Sequence, residues 1–408
     1  MLTREEVKRT TEALIGLPTQ KRHTGHSLEE IDSNMRKTFV SLATMALLAG
    51  SVGAASAQDA RWDGGDELPT NPLACGMDEA EPMTGEMPAY DGGQATDAPD
   101  LAGQEITLVD IPKLIGIPYF NATAQGMQEA AAELGNVTVI NDGPTEGSID
   151  QQITFIDNYI TQGVDGVLFA ANDPVAIAPV LKSALEAGIH VIGYDANAEP
   201  DAREWFINQA EFNAIAKAMI DGLVAEQGEA ASFGIVTSTF TTPNQARWIS
   251  EMDAYAAKCY PELTWLETLE AQEDAPLSFS QAQTLLNKYG GDIQGIFGMT
   301  SIATPAAADA VTQADQCGSV SVIGLATPNP MKPFVDSGCV KSVVLWNPID
   351  LGYAAVYVAR AVVDGEFAPG DTSVSAGRLG DLAVANGSEV LLGPAFVWTA
   401  ENINDYDF

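Results

Sequence analysis

Five short apolar runs in this chain end on side chains that can hydrogen-bond a small molecule. Lys113 sits in Ile111-Pro-Lys-Leu-Ile-Gly-Ile-Pro-Tyr-Phe120, Asp195 follows His190-Val-Ile-Gly-Tyr, and Asn244 and Gln245 stand in the turn Thr242-Pro-Asn-Gln. Thr300 and Ser301 follow Met299, and Asn347 follows Leu345-Trp346. One amine, one acid, amides and hydroxyls, with Tyr119, Phe120 and Trp346 close by, make the chemistry of a polyol or sugar site. Charged and amide groups bracket neutral hydroxyls there while an aromatic face covers C–H surface. Such a set binds rather than catalyses. The chain has no G-x-S-x-G nucleophile elbow, and a lone acid such as Asp195 is not the paired carboxylate of a glycosidase. The expectation is a binding protein, not an enzyme, with no cofactor and no metal.

Each residue also has a plainer reading. A lysine can lay its stem over apolar surface with its head in water, and Asn or Asp at a strand end often satisfies a local turn. Recurrence at equivalent positions is what favours a site. From Glu105 onward, strand-like runs alternate with helical patterns, the signature of repeated βαβ units and a mainly parallel sheet. The runs are 106–109, 137–140, 166–170, 190–194, 233–236, 296–298, 320–325 and 343–346, and the helical patterns are 122–134, 149–162, 175–187, 215–226, 246–258, 279–288, 306–314 and 352–363. In such sheets ligands bind beyond the carboxyl ends of the strands, which is where these polar residues fall. About 300 residues is more than one core usually holds, so two α/β lobes with several crossings are expected. Crossings are placed near 197–208 and at Ala326-Thr-Pro-Asn329. The first lobe is expected to hold 104–208 plus about 327–370, and the second 209–326 plus about 371–408.

Composition narrows the partners. The chain carries 19 Lys plus Arg against 56 Asp plus Glu. Met35-Arg-Lys begins a short basic start and apolar stretch, and Ala55-Ser-Ala57 is a small-residue cleavage pattern, so 35–57 reads as a secretory signal cut after Ala57. Residues 1–34 then read as an upstream extension from a mis-called start, and the exported protein is expected in the periplasm. Without the seven basic and six acidic side chains of 1–57, 12 basic face 50 acidic ones. Such a charge repels phosphate backbones and anionic lipid, which argues against nucleic-acid and membrane-surface roles and for a neutral or cationic small ligand. Residues 58–103, rich in Gly, Pro and acids, read as a flexible acidic arm. Of the four cysteines, Cys317 and Cys339 each precede a strand-like run, and adjacent parallel strands would put both at one sheet edge. A Cys317–Cys339 bridge is therefore favoured, with Cys75–Cys259 following by elimination from the three possible pairings.

From about Glu105 to Phe408 the chain resembles the type I periplasmic substrate-binding proteins of ABC sugar transporters, within them the rhamnose-binding and autoinducer-2-binding branch. The segments that carry the likeness are Ile111-Pro-Lys-Leu, Asp142-Gly-Pro-Thr, Thr327-Pro-Asn, Leu345-Trp-Asn-Pro-Ile-Asp-Leu-Gly-Tyr353, Ala376-Gly-Arg-Leu-Gly380, Glu389-Val-Leu-Leu-Gly-Pro394 and Glu401-Asn-Ile-Asn-Asp-Tyr-Asp-Phe408. The resemblance implies two Rossmann-like lobes joined by a multi-crossing hinge, closing on a ligand and docking on a membrane permease as a monomer. It implies ligand contacts at Lys113, Asp195, Asn244, Gln245, Thr300, Ser301 and Asn347, to which the residue reading adds the aromatic Tyr119 and Phe120. In the autoinducer-2 binders an acid stands where Asn244 is, and in ribose binders an arginine stands where Ala196 is. Rhamnose or a related deoxysugar or polyol is thus expected first, with an autoinducer-2-type signal as the alternative. Within the site, Asp195 is expected to pair with Lys113 and keep both charges compensated.

Overall fold

The computed structural model describes residues 89–408. The expected extension, signal segment and Cys75 lie outside the described residues. From Ile106 the chain runs β1 (Ile106–Ile111), α1 (Pro118–Leu134), β2 (Val137–Asn141), α2 (Ile149–Gln162), β3 (Gly166–Phe169), α3 (Pro174–Glu186), β4 (His190–Tyr194) and β5 (Trp205–Asn208). It continues through α4 (Phe212–Gln227), β6 (Ser232–Thr237), α5 (Pro243–Cys259), β7 (Thr264–Glu270), α6 (Ala275–Tyr289), β8 (Gly295–Gly298), α7 (Ala303–Gln313), β9 (Ser321–Gly324), α8 (Pro328–Asp336) and β10 (Ser342–Leu345). It ends with α9 (Pro348–Val363), β11 (Ser373–Ser375), β12 (Asp381–Ala385), β13 (Glu389–Leu391) and β14 (Phe396–Thr399).

These strands build two Rossmann-like α/β lobes. The first sheet has the order β11-β12-β13-β5-β4-β3-β1-β2, parallel from β2 to β13 with an antiparallel edge at β12 and β11. The second is the parallel array β7-β6-β8-β9, continued by a bridge from Leu325 to Val344 of β10, which pairs antiparallel with β14. Strands such as Gly166–Phe169 are buried at every residue because helices cover both faces. The helices start and stop where local chemistry dictates. Ser148 and Asp173 accept backbone N–H groups at the starts of α2 and α3, and left-handed Gly135 and Gly163 close α1 and α2.

Strand pairing corrects the expected division of the chain. Ala326-Thr-Pro-Asn329 is not a crossing: Pro328 is the first residue of α8, a position that suits proline because its missing N–H would be unpaired there anyway. The chain stays with the second sheet through β10 and returns to the first at α9. Residues 373–391, expected in the second lobe, pair with β5 through β13. Their strands are three to five residues long with only alternate residues buried, too short a pattern to signal a sheet from sequence. Strand β7 was also unmarked, since acids interrupt its apolar residues. The described part of the arm, 89–103, is held rather than loose: Gly93 N donates to Arg203 O, Thr96 N to Leu185 O, and Tyr90 OH to Glu204 O. Cys317 and Cys339 are disulfide-bonded, while the expected partner of Cys259 lies outside the described residues.

The return to the first lobe is fixed by backbone-to-backbone packing of α1 on α9. A Cβ added at Gly126 would sit 1.7 Å from Ile349 O, and one at Gly352 would sit 1.9 Å from Thr123 O. Arg378, from the Gly-Arg-Leu-Gly segment, clamps the same helices by bonding Glu129 of α1 at 2.6 Å and Asp350 of α9 at 3.0 Å. Gly352→Ala must push the helices apart and should lower stability by about 1–3 kcal/mol or more, the usual cost of overpacking. Urea denaturation of the variant checks this; an unchanged midpoint would mean that the helices are not in backbone contact.

Candidate functional site

The strand ends position the polar residues as the parallel sheets require. Pro112 ends β1 and places Lys113 just beyond it, while Pro118 starts α1 with Tyr119 and Phe120 in its first turn. Asp195 follows β4 directly and has φ 59°, a left-handed conformation that a non-glycine residue adopts at a cost. Asn244 and Gln245 occupy the first turn of α5, and Thr300 and Ser301 follow β8. These residues line one cleft together with Ile117, Trp248, Glu273, Met299, Leu325, Leu345 and Trp346. It measures about 350 Å³ with its mouth included. Its lining mixes aromatic rings with a few convergent polar groups, the make-up of a small-molecule site.

At the centre, the Lys113 ammonium lies 2.9 Å from Asp195 Oδ2, both side chains at most 5% exposed. The expected pair is thus present. Lys113 Nζ also donates to Asn244 Oδ1 at 3.3 Å, joining first-lobe and second-lobe residues. Tyr119 OH donates to Asp195 Oδ1 at 2.9 Å and accepts the indole N–H of Trp346 at 2.9 Å. Burial and the adjoining carboxylate push the Tyr119 hydroxyl well above its usual pKa, so it stays a donor to Asp195. The snorkelling reading of Lys113 fails here, because the whole side chain is 5% exposed and its ammonium faces Asp195 rather than water.

Two residues of the expected set do something else. Asn347 does not line the cleft: its Oδ1 accepts from Ile349 N at 3.0 Å and Asp350 N at 3.4 Å, capping α9 in the local role open to any strand-end Asn. Gln245 does line it, but its Oε1 already accepts from Thr237 Oγ1 at 2.6 Å and Ser238 N at 2.8 Å, and its Nε2 donates to Glu273 Oε1 at 3.2 Å. Glu273 and Trp248 were not singled out from sequence. Glu273 follows the unmarked strand β7, so no strand-end argument reached it, and Trp248 sits inside a helix pattern that reads as ordinary core. The indole N–H of Trp248 is buried with no hydrogen-bond partner among the described residues. Among the described residues no group of three or more His, Cys, Asp or Glu could hold a metal ion.

Beneath the cleft floor, Asp110 of β1 accepts from Tyr194 OH at 2.7 Å and Asn141 Nδ2 at 3.0 Å. Full burial raises its pKa from 3.8 to about 7, partly offset by those two bonds. Since Tyr194 precedes Asp195, this buried acid steadies the backbone that carries the site.

Lys113→Met leaves the Asp195 carboxylate buried without its cation, and breaking a buried pair costs about 3–5 kcal/mol. The double variant with Asp195→Asn should recover part of the loss; unfolding free energies with no coupling between the two substitutions would contradict the pairing. For Asp110 the folded pKa of about 7 exceeds the ordinary 3.8. Its proton is therefore held more tightly in the folded protein, so its contribution is full below the lower value and is lost as pH rises through the higher one. Asp110→Asn lacks this slope, and its stability relative to wild type should improve from pH 4 to pH 8, checked by urea midpoints at both; parallel curves would refute it.

Comparison with known proteins agrees with this architecture. A family model described as a periplasmic binding protein domain matches residues 109–367. The D-allose-binding periplasmic protein of Escherichia coli (strain K12) is 23% identical over 264 residues, which are 62% of this chain and 82% of that protein. A crystal structure of a sugar ABC transporter from Actinomyces odontolyticus ATCC 17982 is 32% identical, covering 76% of this chain and 100% of that one, with a TM-score of 0.62. An ABC transporter solute binding protein from Clostridium phytofermentas, solved with bound L-rhamnose, is 28% identical, covering 74% and 98% of the two chains, with a TM-score of 0.69. With the family model spanning more than half its length, the chain belongs to the periplasmic binding protein domain family.

Proposed function

We propose that this protein is a periplasmic solute-binding component of an ABC transporter that captures a neutral monosaccharide, rhamnose or a related deoxysugar or polyol, and delivers it to a membrane permease. The observation that carries the reading is the Lys113–Asp195 pair with Asn244 opposite, set among Tyr119, Phe120, Trp248 and Trp346 in one cleft. An ammonium, a carboxylate and an amide offer both donors and acceptors to hydroxyls, and the rings cover C–H faces. Because Lys113 and Asp195 are compensated by each other, the first-lobe wall is close to neutral, which favours a neutral ligand over an ionic one. In this reading Lys113 and Asp195 bond ligand hydroxyls from the first lobe, and Asn244, Thr300 and Ser301 meet them from the second. Gln245 acts through its neighbour, and Asn347 is a cap.

The lobe membership proposed for this function follows strand pairing: 104–208 with about 346–391 on one side, and 209–345 with about 392–408 on the other. Three crossings then form the hinge. A ligand touching both lobes shifts the equilibrium toward closure, and moving it from 1:99 to 99:1 takes about 5.5 kcal/mol of differential binding. Export through the 35–57 signal segment would place the protein where such a ligand arrives, and a monomer suffices for permease docking. The sugar names carried by the relatives support a sugar ligand without selecting one: D-allose for the E. coli protein and L-rhamnose for the C. phytofermentas protein.

Isothermal titration calorimetry with L-rhamnose, D-allose, D-ribose, D-arabinose and autoinducer-2 tests the reading. At least one neutral sugar should bind with micromolar affinity or tighter. Binding of autoinducer-2 alone would move the assignment to signal uptake, and no sugar binding tighter than millimolar would remove the sugar reading.

A further inference from the structure

The cleft holds a second carboxyl that the Lys113–Asp195 pair does not account for. Glu273 stands in the turn after β7, with Gln272 at φ 52° and Glu273 at φ 55°, two consecutive non-glycine residues in the left-handed region. Each such residue costs of order 1 kcal/mol and persists only where the surroundings hold it. Here they do: Ala271 N donates to Thr237 O at 2.7 Å and Gln272 N to Ser238 O at 2.9 Å, anchoring the turn on the end of β6. The result is a strained loop whose glutamate is 9% exposed and lines the ligand cleft.

Its partners are what make Glu273 informative. Gln245, locked by Thr237 and Ser238 at its Oε1, presents only its Nε2, and that group points to Glu273 Oε1. The cleft's ammonium is bonded to Asp195, so Glu273 is held by neutral groups, Gln245 and Thr300, and not by a bonded cation. Burial raises its pKa, opposed by the Lys113 charge and the Thr300 and Gln245 bonds and reinforced by Asp195. A carboxyl has about four acceptor sites, and the Gln245 amide and Thr300 hydroxyl fill two of them, leaving the others for a ligand hydroxyl.

We infer that Glu273 is a ligand-contacting, specificity-determining residue, aimed by Gln245 so that it reads one hydroxyl of the bound sugar from the second-lobe wall. This rests on the monosaccharide reading above and sharpens it. Gln245 is then a positioning residue, and the sugar must present a hydroxyl toward β7 as well as toward Lys113 and Asp195. A sugar lacking that hydroxyl leaves a buried carboxyl under-bonded, which is how a polar site rejects an analogue of nearly the same shape.

The test is calorimetry of wild type and Glu273→Gln with L-rhamnose, D-allose, D-ribose and D-arabinose, then with every monodeoxy analogue of the sugar that wild type binds tightest. Glu273→Gln should weaken that sugar about tenfold to a hundredfold, the range for one hydrogen bond to a charged group. One monodeoxy analogue should bind wild type weakly yet lose nothing further in the variant. If Glu273→Gln does not fold, Glu273→Asp, which keeps the charge but withdraws it by one methylene, should show the same selective insensitivity. A loss shared equally by the parent sugar and all analogues is the mark of a purely structural role and would overturn the inference, as would unchanged affinity. Wild-type protein that binds none of the four sugars would sink the sugar reading and this inference together, whereas a binding wild type with an indifferent variant sinks this inference alone.

Discussion

The structure depends on burying one ion pair between its two lobes. Taking an ammonium and a carboxylate out of water costs several kcal/mol each, and their attraction offsets this only when good geometry and further hydrogen bonds complete both groups. Lys113 and Asp195 meet much of that demand with parts drawn from distant stretches of chain, although Asp195 Oδ2 faces the ammonium at 2.9 Å with no hydrogen bond of its own among the described residues. Tyr119 of α1 bonds the second carboxylate oxygen, Trp346 at the end of β10 holds Tyr119, and Asn244 of α5 accepts from the ammonium. The left-handed backbone at Asp195 is tolerated because these contacts hold it in place.

The lobes supply those parts because parallel strands all end on the same side. β1, β4, β6, β7, β8 and β10 each deliver residues to the cleft at or just beyond their carboxyl ends, and three of the helices that follow begin with a proline, Pro118, Pro243 and Pro348. Proline suits that first helical position, where its missing N–H would be unpaired anyway. Trp346 belongs to the segment that leaves the second sheet and enters α9, which rests on α1 through bare glycine backbone. The tryptophan that orients Tyr119 thus lies where the chain passes from the second sheet to α9.

Much of this was legible in the residues. The βαβ alternation, the two α/β lobes, and the placing of Lys113, Tyr119, Phe120, Asp195, Asn244, Thr300 and Ser301 at strand ends follow from local pattern alone, and the structure gathers those seven into one cleft. Asn347 stands outside that cleft: a strand-end amide that caps a helix and one that meets a ligand look alike in sequence, and here it bonds Ile349 and Asp350. Glu273 and Trp248 escaped because one follows a strand with too many acids to recognise and the other looks like core. The lobe assignment of 371–391 failed because edge strands this short take their stability from the sheet they join, through pairs such as Val390 with Ile207.

By itself, then, the sequence determined the period of the elements and the residue types at their ends, since both are properties of a few neighbouring residues: apolar spacing, a proline, a glycine, a cap. Which side chains satisfy one another was decided only by tertiary structure. Gln245 and Glu273 lie 28 residues apart and meet at 3.2 Å, and Tyr119 and Trp346 lie 227 residues apart and meet at 2.9 Å. A buried polar group is stable only with its partner in place, and long-range partners exist only after the two sheets have brought them together.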